Sequence, residues 1–296
     1  MPGIVGAVRT WGAMIKFSHS VFALPFALLA TFLAARPQLP TWTQIGLIVF
    51  CMAAARSAAM TFNRIIDARF DAANPRTAQR QLPTGAISKA AAWTFFCAAC
   101  GCFLLGCGGF WLFHDNPWPL RLSLPVLALL CGYSCTKRFT SLSHIVLGSA
   151  IALAPVAAWI AITPATLGAT AWLLMAGVAC WIAGFDLIYA CQDAEHDRQA
   201  GLYSIPAHLG AATALRLARL LHALAAAALI ATGFTAQLGV FYYVGVGCAV
   251  LLLIVENSIV HPNDLSRVNL AFFTMNGVVG LLLGGLGVLD ICLARV

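Results

Sequence analysis

Charge is scarce in this 296-residue sequence: Asp, Glu, Lys and Arg together make up 9% of it, against 61% hydrophobic residues and a mean hydropathy of +0.88. Soluble domains carry roughly 25% charged and 45–50% apolar residues, so this balance excludes an ordinary soluble fold. Long polar tracts are also missing, which leaves no segment to build a separate soluble domain. The first apolar stretch lacks a small-residue cleavage site followed by such a domain, and it reads as a membrane span, not a signal peptide.

What is present is a series of apolar stretches, each near the roughly 20 residues needed to cross a hydrocarbon core. Nine are expected, at 17–35, 42–62, 89–113, 119–136, 143–163, 167–190, 213–235, 239–259 and 268–291. The fold class expected is an all-α polytopic membrane protein, with residues 1–296 as a single membrane domain. Eleven cysteines lie almost wholly inside these spans, where they act as small hydrophobes. "CAAC" at Cys97–Cys100 has a redox or metal spacing but sits mid-helix without partner ligands, and reads as packing.

The few cations are distributed unevenly. All but Arg36, Arg121 and Arg295 of the 17 Lys and Arg fall on one side when the N-terminal segment and alternate loops are counted together. The positive-inside rule then puts the N-terminus and the charged loops in the cytoplasm and the C-terminus outside. The net charge of +7 follows from this topology; it fits anionic lipid or an anionic substrate and requires no nucleic acid.

Two charged stretches stand apart. The second span runs into "NRIIDARFD" and the sixth into "DLIYACQDAEHDR". At 100° per residue, Asn63, Asp67 and Asp71 drift only about 80° around a helix, and Asp186, Tyr189, Asp193 and Asp197 fall within about the same arc. Asp67 and Asp193 have the same offset as Asp71 and Asp197, and an even number of spans lies between them. This suggests a weak parallel repeat, with two acidic helix ends able to face one central cavity open to the cytoplasm.

Carboxylates gathered without partners repel one another, so a cation is expected. Oxygen ligands without a nearby Cys or His pair favour Mg²⁺, which keeps waters and bridges carboxylates to substrate phosphates. Such a site suits a diphosphate. Lys137 and Arg138 are the first candidates to neutralise its remaining oxygens, with Arg69, Arg80 and Arg198 as further ones. The bland reading of each charge is a solvated or topology-setting residue, but two DxxxD faces at equivalent helix ends argue against it.

With these motifs in place, the chain resembles the UbiA family of intramembrane aromatic prenyltransferases. "NRIIDARFD" is similar to the family's Asn and DxxxD motif, and "DLIYACQDAEHD" to its DxxxYxxxD motif. Between them, "YSCTKRFTSLSHIVLG" supplies Tyr133, Lys137, Arg138 and Gly148 of the intervening segment. The ending "GFDLIYACQDAEHDRQAGLYSIPAHLG" resembles the 4-hydroxybenzoate polyprenyltransferase branch and a similar branch assigned to menaquinone synthesis, and looks less like the haem farnesyltransferase branch. "RQLPTG" departs from the frequent Arg-Pro-Leu-Pro wording, which leaves the role of Arg80 open.

The resemblance implies Mg²⁺-dependent transfer of a polyprenyl group from its diphosphate to an aromatic acceptor such as 4-hydroxybenzoate, in ubiquinone or menaquinone biosynthesis. It implies a bacterial inner-membrane enzyme with the bilayer, polyprenyl diphosphate and the acceptor as partners. By family analogy Asn63, Asp67, Asp71, Asp193 and Asp197 hold the metal on the diphosphate, and Lys137 and Arg138 stabilise the leaving group. Asp186 or a first-motif carboxylate is the candidate base. Tyr189 contacts diphosphate or acceptor, or is an interfacial aromatic. Lys16 meets a carboxylate on the aromatic substrate, or anchors its helix at the headgroups. His19 reads as interfacial.

Arg56 lies two turns before Asn63 and is costly there unless it pairs or snorkels. Gly280 and Gly284 have the spacing for close helix contact inside the bundle, Pro155 is placed to kink its span, and Trp42, Trp118 and Trp172 read as headgroup anchors. The rival function is an ion-coupled secondary transporter; acidic motifs at helix ends and a parallel repeat argue against it, because transporters usually place coupling sites near the midplane.

Overall fold

The structure, a computed structural model, describes residues 4–16 and 22–294. Among them there is no β-strand. Helices run over Ile4–Met14 (α1), Leu24–Ala34 (α2), Trp42–Ala73 (α3), Lys89–His114 (α4), Trp118–Gly132 (α5), Ser143–Ile162 (α6), Ala169–Ala190 (α7), Ala194–Gln199 (α8), Ile205–Leu209 (α9), Ala211–Thr235 (α10), Val240–Ile259 (α11) and Asn276–Leu293 (α12). A 3₁₀ segment, Tyr133–Arg138, extends α5, another, Cys191–Asp193, joins α7 to α8, and a π-helical segment, Leu270–Met275, leads into α12.

Eight of these rods are long and apolar enough to cross a membrane: Trp42–Ala73, Lys89–His114, Trp118–Arg138, Ser143–Ile162, Ala169–Gln199, Ala211–Thr235, Val240–Ile259 and Leu270–Leu293. They coincide with eight of the nine expected spans. The remaining one, 17–35, is represented among the described residues by α2, an apolar helix of 11 residues. Residues 17–21, with His19, and Arg295 lie outside the described residues.

The chain packs as two compact units. One comprises the described residues of 1–20 together with 49–135, the other those of 21–48 and 136–296. In the first, Ala54, Ala55 and Ala58 of α3 meet Ala99, Phe103 and Cys107 of α4 and Leu127 of α5. A second cluster joins Met14 and Ile15 to Ile87 and Ala92. In the second unit, Leu187 and Ile188 near the end of α7 pack with Ala214, Leu215 and Ala218 of α10 and with Val268 and Ala271.

Lipid tails are as apolar as Leu, so helices in a bilayer associate through close packing more than through removal of apolar area from solvent. Small residues make that possible. A Cβ at Gly148 of α6 would stand 2.6 Å from the Ala179 carbonyl oxygen on α7, and one at Gly284 of α12 would stand 2.4 Å from Pro25 Cβ on α2. Gly284 of the last span therefore serves packing against α2. Trp42, Trp118 and Trp172 are exposed at helix starts, in keeping with an anchoring role. All eleven cysteines are free.

Candidate functional site

The first acidic motif lies on the same uninterrupted helix as the second expected span. At about 1.5 Å per residue, the 32 residues of α3 measure about 48 Å, well beyond a hydrocarbon core of about 30 Å. The surplus is the part that carries Asn63, Asp67 and Asp71. The Asn63 side-chain amide donates to Asp67 Oδ2 at 2.9 Å, one turn apart, and so sets that carboxylate's orientation. Asp71 is buried, and Arg80 Nη1 donates to its Oδ1 at 2.6 Å. Asp71 Oδ2 makes no hydrogen bond; Arg64 Nη1 stands 3.9 Å away.

Arg64 is a site residue that sequence reasoning did not single out. It is buried, and its Nε donates to the Met14 carbonyl at 3.3 Å. Its position seven residues before Asp71, two helical turns on the same face, was the available signal. Arg56, one further stretch down that face, donates from Nη2 to the Lys16 carbonyl at 3.1 Å. The half-buried arginine thus finds a backbone partner.

Lys16 sits among these cations. Burial, reinforced by the charges of Arg64, Arg80, Arg76 and Arg56, lowers its pKa from the usual lysine value to about 7. Four arginines acting on this lysine, against the two first-motif carboxylates that act on Arg64, leave a surplus of positive charge, which favours an anionic ligand. Arg69 does not join them. It is exposed, and about 200° of helical rotation separates it from Asp67.

The second motif is not carried on one regular helix, contrary to the expectation of constant 100° steps. Asp186 and Tyr189 lie in the last turns of α7, Asp193 in the 3₁₀ segment, and Asp197 in α8. Tighter 3₁₀ winding rotates the chain further per residue, so the face is reset between Tyr189 and Asp197. Asp193 and Asp197 are both buried. Lys137 Nζ lies 3.5 Å from Asp197 Oδ2, and the charges of Asp197, Asp186 and Asp193 all act on it. The Lys137 carbonyl also accepts from the Tyr203 amide at 2.7 Å, which fixes the 3₁₀ segment bearing Lys137 and Arg138.

Tyr189 packs against Phe272, with ring centroids 4.2 Å apart, and meets Phe273 edge-on. Arg198 is occupied locally: it pairs with Glu195, and its Nε donates to the Ala207 carbonyl at 3.3 Å. Asp186 has an unanticipated partner, His144 of α6, whose Nδ1 lies 2.6 Å from Asp186 Oδ2. No sequence spacing announces a contact between two separate helices.

Among the described residues, no three His, Cys, Asp or Glu side chains form a cluster that could hold a metal ion. Mg²⁺ does not need one, since it is commonly bound by one or two carboxylates, waters and substrate phosphates. Asp71 Oδ2, buried and without a hydrogen bond, is a donor of the right kind.

The apolar rods are those of an integral membrane protein, and buried carboxylates lie near the ends of α3 and α7. The model of the UbiA prenyltransferase family matches residues 23–278, and the chain belongs to that family. It is similar to 4-hydroxybenzoate octaprenyltransferase of Alkalilimnicola ehrlichii, 30% identical over 81% of this chain and 80% of that one. The enzyme of the same name from Cronobacter sakazakii is 31% identical over 84% and 83%. Among solved structures, the apo UbiA homolog from Aeropyrum pernix K1 superposes with a TM-score of 0.82 at 32% identity, covering 92% of this chain and 98% of that one. A UbiA homolog from Archaeoglobus fulgidus bound to GPP and Mg²⁺ shares the fold, with a TM-score of 0.73 at 17% identity over 96% and 99%. The expected enzyme class, an aromatic polyprenyltransferase, is the class of these curated relatives. The transporter alternative finds no support in them.

Proposed function

We propose that this chain transfers a polyprenyl group from polyprenyl diphosphate to a small aromatic acceptor, 4-hydroxybenzoate or a related quinone precursor, in ubiquinone or menaquinone biosynthesis. The observation that carries this reading is the cationic surround of Lys16, with four arginines acting on it and Asp67 and Asp71 on the same helix as two of them. A surround so charged calls for an anion, and the carboxylates call for a cation between protein and anion. The names of the relatives supply the acceptor, and the GPP and Mg²⁺ of the Archaeoglobus fulgidus neighbour fit the same chemistry.

In this reading Asp67 and Asp71, with Asn63, would hold Mg²⁺, as would Asp193 and Asp197, and the bound metal would neutralise charge on the departing diphosphate. Lys137 and Arg138 meet the oxygens on which charge grows as the allylic C–O bond breaks, and Arg80 is released from Asp71 to do the same. Arg69 and Arg198 are left out, the first by its exposure and the second by its local partners. Lys16 binds an acceptor carboxylate, Tyr189 contacts the substrates beside Phe272, and Asp186 takes the ring proton. The α2 helix belongs to a first crossing, giving nine in all, with the N-terminus and charged loops in the cytoplasm, the C-terminus outside, and the bacterial inner membrane as the site of action. Residues 1–296 act as one enzyme domain.

The test is incubation of purified protein with Mg²⁺, a polyprenyl diphosphate and a panel of aromatic acids, read by mass spectrometry. A prenylated aromatic acid should appear and should vanish when Mg²⁺ is chelated. No product with any acceptor, together with ion-coupled solute uptake in liposomes, would overturn the reading.

A further inference from the structure

We propose that His144 is a positioning residue for prenyl transfer, holding Asp186 in the orientation in which its carboxylate removes the ring proton; this rests on the function proposed above. His144 is completely buried at the start of α6, and its Nδ1 lies 2.6 Å from Asp186 Oδ2 near the end of α7. His144 Nε2 is buried and has no hydrogen-bond partner. A neutral imidazole with its proton on Nδ1 donates to the carboxylate and leaves only a lone pair unsatisfied at Nε2. The other tautomer would turn a lone pair toward the carboxylate and bury an unsatisfied N–H, which costs more. The geometry therefore assigns the proton to Nδ1 and makes the imidazole a donor to Asp186.

This donor solves a problem set by the neighbours. The charges of Asp197, Asp186 and Asp193 all act on Lys137, and Lys137 Nζ is 3.5 Å from Asp197. A carboxylate at position 186 with free rotation would be drawn toward that ammonium. A 2.6 Å bond from an immobile, fully buried ring commits Oδ2 and holds the carboxylate in place, while the Asp186 side chain remains partly accessible. Oδ1 is then available to a substrate.

The step balances as follows. The allylic C–O bond breaks and diphosphate leaves with its electron pair. A ring carbon of the acceptor bonds to the prenyl C1, the C–H bond at that carbon breaks, and its electron pair restores aromaticity. The proton passes to Asp186 Oδ1. His144 keeps its own proton throughout.

Three variants and a labelled acceptor test this. His144→Leu removes the donor, His144→Asn retains an N–H near Nδ1, and Asp186→Asn removes the base. With the acceptor deuterated at the prenylated carbon, wild type should show an isotope effect on kcat near 1. In His144→Leu proton removal should become slow: kcat falls about 10- to 100-fold, KM for the prenyl diphosphate stays within about twofold, and the isotope effect rises above about 2. His144→Asn should recover most of kcat and return the isotope effect toward 1. Combining His144→Leu with Asp186→Asn should cost no more than Asp186→Asn alone. If His144→Leu does not fold, His144→Ala assayed with and without added imidazole gives the same comparison. Wild-type kcat in the folded variants lacking the donor, or a loss of kcat with an unchanged isotope effect, overturns the positioning role. Absence of product from the wild type overturns the function itself.

Discussion

Asp71 is engaged from two directions, by Arg80 at 2.6 Å and by Arg64 at 3.9 Å, whereas Asp67 is oriented by the amide of Asn63. Both carboxylates act on Arg64, and Asp71 is in addition bonded by Arg80. Asp67→Ala and Asp193→Ala should each abolish turnover and leave the folded protein intact, as judged by size-exclusion profile and thermal unfolding; turnover at the wild-type rate in either would remove that residue from the metal set. Lys16 gives a pH test. With its pKa near 7, it is charged below that value and neutral above it, so attraction for an acceptor carboxylate is present at low pH and lost as pH rises through 7. KM for a carboxylated acceptor should therefore climb above pH 7, and Lys16→Arg, which stays charged, should flatten the climb. Asn63, Asp67 and Asp71 were legible in the sequence because a regular helix repeats its spacing. Arg64 was legible in principle by the same rule, and His144 was not, because its partner lies on another helix.

At the scale of elements, hydropathy placed the starts of the long rods to within a few residues, since a span of about 20 apolar residues leaves little freedom, but the spans ending at Ala73 and Gln199 run well past their apolar stretches. The four-residue spacing carried α3 through its acidic motif, but nothing in the pattern showed that α7 breaks into a 3₁₀ turn before Asp193. The difference depends on packing around each helix end, which periodicity does not encode. A further helix-end device is Asp290 of α12. Its Oδ1 accepts from the Phe241 amide at 3.1 Å and its Oδ2 from the Gly239 amide, so it satisfies two of the donors left open at the start of α11. Asp290→Ala should destabilise the protein by about 0.5–2 kcal/mol without changing kcat, measured as a lowered midpoint of thermal unfolding in detergent. A wild-type midpoint would show that water satisfies those amides equally well.

Across the whole molecule, the apolar exterior is extensive: Leu105, Leu112, Phe234 and Leu251 are among many large exposed hydrophobics. A water-soluble protein would bury such residues, but in a bilayer they face lipid at no cost. The scarcity of charge that marked the sequence is thus the condition for this surface, and it concentrates the remaining charge where it has work to do.

The length of α3 links these scales. Trp42 is almost fully exposed at one end of a rod of about 48 Å, and the carboxylates lie near the other. Hydrophobic mismatch therefore acts on the site as well as on the fold. A bilayer of altered thickness tilts a rigid helix or draws on its flanking residues, at a fraction of a kcal/mol per Å. In vesicles of increasing acyl length, turnover should pass through a maximum and fall on either side, with the fall steepest in thick bilayers that bring hydrocarbon up to Asn63. An enzyme that prenylates quinone precursors inside a membrane would then have its rate set partly by the chain length of the lipids around it.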